Sequence, residues 1–430
     1  MNVRFYNARI LTMAEGLRVR AGELWVRGSE IVHVGLEEDE EEPLSWDREI
    51  DVQGNLLMPG FKDAHTHSAM TFLRSYADDL PLKQWLEEKV FPMEALLSPE
   101  DIYELCRLAI LEYLTSGITA NFDMYLEPEA MARASVDCGF RTVICGAVND
   151  FTQSVEKEEQ YYRRYNHFHE LISYRLGFHG EYTTSREILE GIASLAEKYK
   201  APVYTHLAET EEEVKGCLER NRKTPAVYLD SLGMFTYGGG GFHCVHMTER
   251  DLRILKERGV WAVTNPASNL KLASGLAPLA EMDRRGIGLA IGTDGPASNN
   301  CLDMFREMFL ATGLAKLREQ DAAAMDADRI LSMATVGGAG AMGLSACDIL
   351  EPGKKADLII LDLHQPNMQP MNNITKNIVY SGSKQNVKLT MVNGRILYEE
   401  GSFYIGTEPE EIYEKANRII RRLRQEKRSF

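Results

Sequence analysis

The sequence predicts an α/β chain: a (β/α)8 TIM barrel with a small β-sandwich formed by both chain termini. Three observations predict it. Short apolar runs and helical stretches alternate eight times through the middle of the chain, the pattern of repeated βα units. The first fifty-odd residues, and those after about Ala341, read instead as strands and turns. Residues able to do chemistry gather at the ends of the expected barrel strands, where such barrels place them.

In chain order, residues 3–10 and 23–26 are apolar or alternating runs. The second is joined by Arg27-Gly28-Ser29-Glu30 to residues 31–34, a hairpin signal. Residues 50–52 lead into Asn55-Leu56-Leu57-Met58-Pro59-Gly60 and then Phe61-Lys62-Asp63-Ala64-His65-Thr66-His67. Ser98-Pro99-Glu100-Asp101 starts a helix, with an N-cap serine, proline at the first helical position and then acids. The helix runs to Gly117. Strands follow at residues 118–122, 142–145, 174–178, 202–205, 241–244, 260–263 and 288–291. Helical stretches such as 185–199, 248–258 and 276–285 separate them. With the strand before His65 this makes eight units. Beyond Ala341, residues 357–362 and 387–392 read as strands, and Asn393-Gly394 turns into a further strand at 395–398. Residues 409–424 form an amphipathic, basic-ended helix. The expected organisation is a composite sandwich of residues 1–56 and 347–405, a barrel of 57–346 and a C-terminal helix in 406–430.

A formal charge of -16 argues against nucleic acid or an anionic membrane as a partner. The acidic run at residues 37–42 contributes to that charge and reads as a solvated loop. Seven cysteines, an odd number without a CxxC pair, fit reduced thiols in a cytoplasm. No signal-peptide core opens the chain, and no apolar run is long enough to span a membrane. The expected localisation is cytoplasmic.

The most informative residues are His65 and His67. An i, i+2 pair at a strand end points to one side, so both imidazoles can grip one divalent metal. A metal held this way makes water nucleophilic at neutral pH. The other strand ends supply His179 with Glu181, His206 with Glu209, His243 with His246, and Asp294 in Gly292-Thr293-Asp294-Gly295. One such histidine alone reads more simply as a hydrogen-bonded core residue. Five of the ten histidines at four strand tips do not. His65, His67, His206 and Asp294 form a three-imidazole, one-carboxylate set that suits Zn2+, and Fe2+ also fits. Glu209, beside a ligand, is placed to act as a proton-donating carboxyl, although a first acid of a helix-start cluster is the simpler reading.

These residues resemble the amidohydrolase superfamily: Asp63-Ala64-His65-Thr66-His67, His206, His243, Gly292-Thr293-Asp294 and Gly353-Lys354-Lys355-Ala356-Asp357-Leu358. A closer resemblance, to the 5-methylthioadenosine/S-adenosylhomocysteine deaminase group, rests on further segments. They are Trp85, Phe91-Pro92-Met93-Glu94, Asn265-Pro266-Ala267-Ser268-Asn269-Leu270-Lys271-Leu272 and Gly292-Thr293-Asp294-Gly295-Pro296-Ala297-Ser298-Asn299-Asn300. The resemblance implies a metal-dependent hydrolytic deaminase of an adenosine-type nucleoside or related N-heterocycle, releasing ammonia. Other aminohydrolase substrates (guanine, cytosine, a pterin, a triazine, or a halide leaving group) are the alternative, and a silent scaffold on the same fold is a third reading. It further implies that His65, His67, His206 and Asp294 hold one metal, since no lysine ends the fourth strand. His243 orients or deprotonates the attacking water, Glu209 protonates the ring nitrogen, and Asp294 moves a proton to the leaving amine. Trp85, Glu94 and His179 contact the substrate, as do Glu209 and Asp294. A homo-oligomer is expected. The chain departs from the resemblance around Ile144-Cys145-Gly146-Ala147, where relatives carry an arginine, at Thr264, where they often carry histidine, and at Glu181.

Overall fold

A computed structural model describes residues 1–14, 16–36 and 45–427, except the side chains at 82 and 83. The acidic run at 37–42 lies outside the described residues. The N-terminal strands are β1 (Asn2–Met13), β2 (Gly16–Arg27), β3 (Glu30–Gly35), β4 (Arg48–Asp51) and β5 (Leu56–Pro59). Eight barrel strands follow: β6 (Phe61–Thr66), β7 (Ile118–Met124), β8 (Arg141–Cys145), β9 (Ile172–Gly180), β10 (Val203–Leu207), β11 (Gly239–His243), β12 (Val260–Thr264) and β13 (Leu289–Ile291). The chain then returns to the first sheet with β14 (Leu358–Leu361), β15 (Val387–Val392), β16 (Arg395–Glu399) and β17 (Ser402–Phe403).

The barrel strands pair in sequence order, each parallel to the next. Parallel pairing forces a crossover on every connection, and helices such as Pro99–Thr115, Arg186–Tyr199 and Glu249–Arg258 provide it. Ser98 and Thr248 start two of these with reciprocal capping boxes, as the first was expected to. The stretch expected as helix at 276–285 is helical only over Leu279–Arg284. Pro278 is the reason, because proline disfavours helical geometry in the residue before it. The ring of strands closes between β13 and β6. The Asp294 N–H donates to the His65 carbonyl at 2.9 Å, and the Thr293 N–H and hydroxyl both donate to the Asp63 carboxylate, at 2.8 and 2.6 Å. Gly292 is needed there, since a Cβ would lie 2.7 Å from the His65 backbone nitrogen.

The barrel interior is filled by Ala64, Phe122, Val143, Tyr204, Phe242, Val263 and Ala290, all buried. It is a packed core, and any site must therefore sit above it at the C-terminal mouth. The second sheet has nine strands and takes β1–β5 from one end of the chain and β14–β17 from the other. β5 pairs antiparallel with β14 and parallel with β1, which welds the two contributions together. Val3, Phe5, Leu24, Val26, Leu57, Leu358 and Met391 form its core. The C-terminal helix Pro409–Lys427 lays Ile419 and Leu423 against the cluster around Met93 and Leu105. No described helix is long and apolar enough to cross a membrane, and all seven cysteines are free thiols.

Candidate active site

The predicted metal residues converge at the mouth. Ring-centroid distances are 4.8 Å for His65–His67, 4.9 Å for His65–His206 and 5.4 Å for His67–His206. Asp294 Oδ1 lies 3.2 Å from His67 Nε2 and 3.7 Å from His65 Nε2. His243 joins the group, 5.5 Å from His206 by centroids. The ligand atoms of His65, His67 and Asp294 lie within 4.8 Å of one another, as do those of His65, His206 and His243.

Hydrogen bonds to the far ring nitrogens fix which nitrogen faces the cluster. His67 Nδ1–H donates to the Met124 carbonyl, and His206 Nδ1–H donates to the His179 carbonyl at 2.6 Å. Both arrangements leave Nε2 with its lone pair toward the centre, the usual orientation of a metal-binding imidazole. His65 is stacked on Phe242 (3.8 Å, 17°), and neither of its ring nitrogens has a partner among the described residues. A buried imidazole left without a hydrogen bond is costly. A cation at the centre of the cluster would supply that partner, and the donor set suits a divalent metal.

The electrostatics agree. Burial and the neighbouring imidazoles hold the pKa values of His65 and His206 well below the usual histidine range, so both are neutral and free to coordinate. His67 differs: burial would lower its pKa, but the hydrogen bond and charge of Asp294 outweigh it and raise it to about 9, so this imidazole must give up a proton to coordinate. Burial works against the Asp294 charge, and the surrounding histidines reverse that and hold its pKa well below the carboxylate range. Ser268 and Ser298 both donate to its Oδ2, at 2.6 and 2.8 Å, leaving Oδ1 toward the histidines.

The backbone at these strand ends is strained. His243 (φ 74°), Cys244 (φ 49°), Ala208 (φ 51°) and Asp294 (φ 56°) all occupy the left-handed region without being glycine. Such residues cost about 1–3 kcal/mol each and persist where neighbouring contacts hold them. Here the Val245 and His246 N–H groups both donate to the Ala208 carbonyl, at 3.1 and 2.9 Å, tying the loop after β10 to the loop after β11.

Glu209 is buried beside this cluster, with Oε2 3.9 Å from His243 Nε2. Burial raises its pKa, and Asp294 adds to the shift. His243 Nδ1–H donates to Asn269 Oδ1 at 2.8 Å, which turns the other nitrogen toward Glu209 and the centre. His179 stands 4.8 Å from His206 by centroids, and its Nδ1–H donates to Thr183. Burial lowers its pKa to about 4. Glu94 is held by the Tyr125 hydroxyl at 2.6 Å, and burial raises its pKa. Trp85 is buried in the apolar cluster with Met70, Phe72, Met93 and Tyr125. Glu181 turns to Arg220 (2.5 Å) and Asn221 (2.8 Å), and Thr264 is buried at the end of β12.

Sequence reasoning did not single out Ser268, Ser298, Asn269, Tyr125 or Glu213. The first three lie inside the two long motifs that carried the resemblance. Their place in those motifs was the only signal for them.

Comparisons with known proteins agree with this geometry. Residues 56–397 match the amidohydrolase family. A 5-methylthioadenosine/S-adenosylhomocysteine deaminase of Pelotomaculum thermopropionicum is 38% identical over 406 residues, covering 93% of this chain and 94% of its own. A 5'-deoxyadenosine deaminase of Methanopyrus kandleri is 37% identical, covering 94% and 95%. The crystal structure of an adenosine deaminase from Xanthomonas campestris with bound zinc superposes with a TM-score of 0.93 at 31% identity, over 98% of each chain. With the family matched over most of its length and the fold matched end to end, this chain belongs to the amidohydrolase family and is similar to its 5-methylthioadenosine/S-adenosylhomocysteine and 5'-deoxyadenosine deaminases.

Proposed function

We propose that the chain is a metal-dependent hydrolytic deaminase of adenosine-type nucleosides. The observation that supports this best is Glu209, a buried carboxyl of raised pKa next to His243 and within the field of Asp294. His65, His67, His206 and Asp294 are the residues to hold the divalent metal, with Zn2+ favoured by the donor set and Fe2+ compatible with it. When bound, that metal supplies a water acidified toward neutral pH.

The chain's own groups do the rest. Glu209 enters protonated and gives its proton to the ring nitrogen beside the amino-bearing carbon. That makes the carbon more electrophilic at the moment water adds. His243, its tautomer set by Asn269, accepts from the attacking water and orients it. Asp294, clamped at Oδ2 by two serine hydroxyls, passes the water's proton to the amino group through Oδ1. The added hydroxyl returns its remaining proton to Glu209 as the C–N bond breaks, so ammonia leaves, the ring keeps the oxygen as a carbonyl and Glu209 is protonated again.

Glu94, with Tyr125 holding one of its oxygens, is the group to receive the sugar hydroxyls, and His179, 4.8 Å from His206 by ring centroids, is the other candidate contact. Positions 144–147 carry no arginine, and Arg175, opposite Cys145 on β9, donates from Nη2 to the Met342 carbonyl at 3.2 Å; a Cβ on Gly146 would lie 2.1 Å from Glu158 Oε1. A substrate carrying an amino-acid carboxylate would lack its two-point guanidinium partner there. The reading therefore favours nucleosides with a short uncharged 5' group, such as 5-methylthioadenosine or 5'-deoxyadenosine, over S-adenosylhomocysteine. An ammonia-release screen over these three, with adenosine, guanine, cytosine, a pterin and a chlorotriazine, tests it. Turnover is expected with the uncharged adenosine derivatives. Turnover confined to the other heterocycles, or release of chloride alone, would sink it.

A further inference from the structure

Glu209 is fixed at the site by very little of its own. Among the described residues its carboxyl accepts one long hydrogen bond, from the Ser274 hydroxyl at 3.5 Å, and lies 3.9 Å from His243 Nε2. A flexible acid with so few side-chain contacts must be aimed from its backbone. That backbone follows Ala208, a non-glycine residue in the left-handed region. The one group that grips both residues is Glu213. Its Oε1 accepts the Ala208 N–H at 2.8 Å, and its Oε2 accepts the Glu209 N–H at 2.8 Å. Glu213 is buried, and its own N–H donates to the Thr210 hydroxyl at 3.1 Å, so it is anchored on the first turn of the helix Glu211–Asn221. The carboxylate thus reaches back past the helix cap, beyond the usual reach of a third-position acid to the cap residue itself.

We infer that Glu213 is a positioning residue for Glu209: it touches no reacting atom, and it sets where the Glu209 carboxyl sits. This rests on the proton-donor role given to Glu209 above. Only a group that accepts twice can hold two successive N–H donors. With one N–H on each oxygen, the isosteric amide would set its NH2 against one of the two donors and lose that hydrogen bond. Misplacing a catalytic group by about 1 Å costs on the order of 10²-fold in rate.

The test is Glu213→Gln in the metal-loaded protein, with Glu213→Asp as the conservative partner, since it keeps a two-oxygen acceptor. For Glu213→Gln, kcat is expected to fall about 10- to 100-fold with KM and metal content little changed, and Glu213→Asp to recover part of the loss. The double variant Glu209→Gln/Glu213→Gln is expected to be no slower than Glu209→Gln alone, because the effect runs through Glu209. A merely structural role predicts multiplied losses instead. Multiplied losses, or an unchanged kcat in Glu213→Gln, would overturn the proposal. A crystal structure of Glu213→Gln gives a readout independent of substrate: the Glu209 carboxyl should be displaced. If it is displaced while the wild type deaminates no nucleoside, the positioning role stands and the substrate reading fails. If it stays in place, the positioning role fails.

Discussion

Arg141, the first residue of β8, and Asp357, just before β14, form a two-point ion pair between the barrel and the returning sheet. Nε meets Oδ2 at 2.7 Å and Nη2 meets Oδ1 at 3.0 Å. Both residues are buried. Burial would push the Asp357 pKa up, but Arg141 outweighs it and holds the carboxyl below its usual range. The same carboxylate accepts the Asn393 N–H at 2.7 Å, so one charge ties β8 to the turn between β15 and β16.

Removing one partner of a buried pair leaves the other uncompensated, at about 3–5 kcal/mol. Arg141→Ala is therefore expected to lower the urea midpoint strongly with little change in slope. A loss below about 1 kcal/mol would show that Asp357 is not relying on Arg141.

Glu158 carries a pH dependence. It is buried between the helix Val155–Tyr165 and β9, accepting from the Tyr174 hydroxyl at 2.7 Å and the Gly177 N–H at 3.0 Å. Burial raises its pKa to about 8 against those two hydrogen bonds. From an ordinary value of 4.5 up to about 8, the folded state keeps a proton that the unfolded state has released. Stability must then fall as pH rises through that window and level off above it. Glu158→Gln removes this contribution. Thermal unfolding at pH 5 and at pH 7.5 should show the wild type losing more stability than the variant across the interval. Parallel changes in the two proteins would mean that Glu158 is ionised in the fold.

Much of the barrel was legible because its signals are periodic and local. Eight apolar runs, glycines at helix ends and serine caps each need only a short window to be read. The histidines were legible for a different reason: a strand's side-chain alternation puts His65 and His67 on one side, and the other candidate ligands, His206 and Asp294, fall at corresponding strand ends. The residues that hold them were not legible. Ser268, Ser298 and Asn269 are small polar residues in loops, where most such residues cap helices or face water. Their task depends on left-handed turns at His243 and Asp294 that no sequence signal announces. Glu213 sat in a run of acids that reads as an ordinary helix start. Trp85, expected at the substrate, packs in one apolar cluster with Met93 and Tyr125, and the Tyr125 hydroxyl holds Glu94.

His65 gives a direct test of metal binding. Neither of its ring nitrogens has a partner among the described residues, so replacing it removes a ligand without breaking a hydrogen bond. A ligand that binds only the folded state stabilises it, by about 2.7 kcal/mol at a hundredfold excess over Kd. Chelator-treated wild type should melt lower and recover on adding zinc. His65→Ala should melt at one temperature with or without zinc and contain little metal by elemental analysis. A zinc-dependent melting shift in His65→Ala equal to that of the wild type would remove His65 from the ligand set.

Glu209→Gln separates proton transfer from metal binding. Glu209 lies three residues beyond His206 in the chain, its carboxyl is 3.9 Å from His243 Nε2, and it belongs to neither close group of candidate metal-ligand atoms. The amide keeps the size of the side chain and can still accept from Ser274, but it has no proton to give the ring nitrogen. Loss of a general acid typically costs about 10²–10⁴-fold in rate. The variant should therefore bind metal at the wild-type level, keep its melting temperature within a few degrees, and lose kcat by that factor with KM little moved. A variant that turns over at the wild-type rate would place the proton donor elsewhere. Glu94, a half-buried carboxyl of raised pKa that feels the His67 charge, is the next group to change.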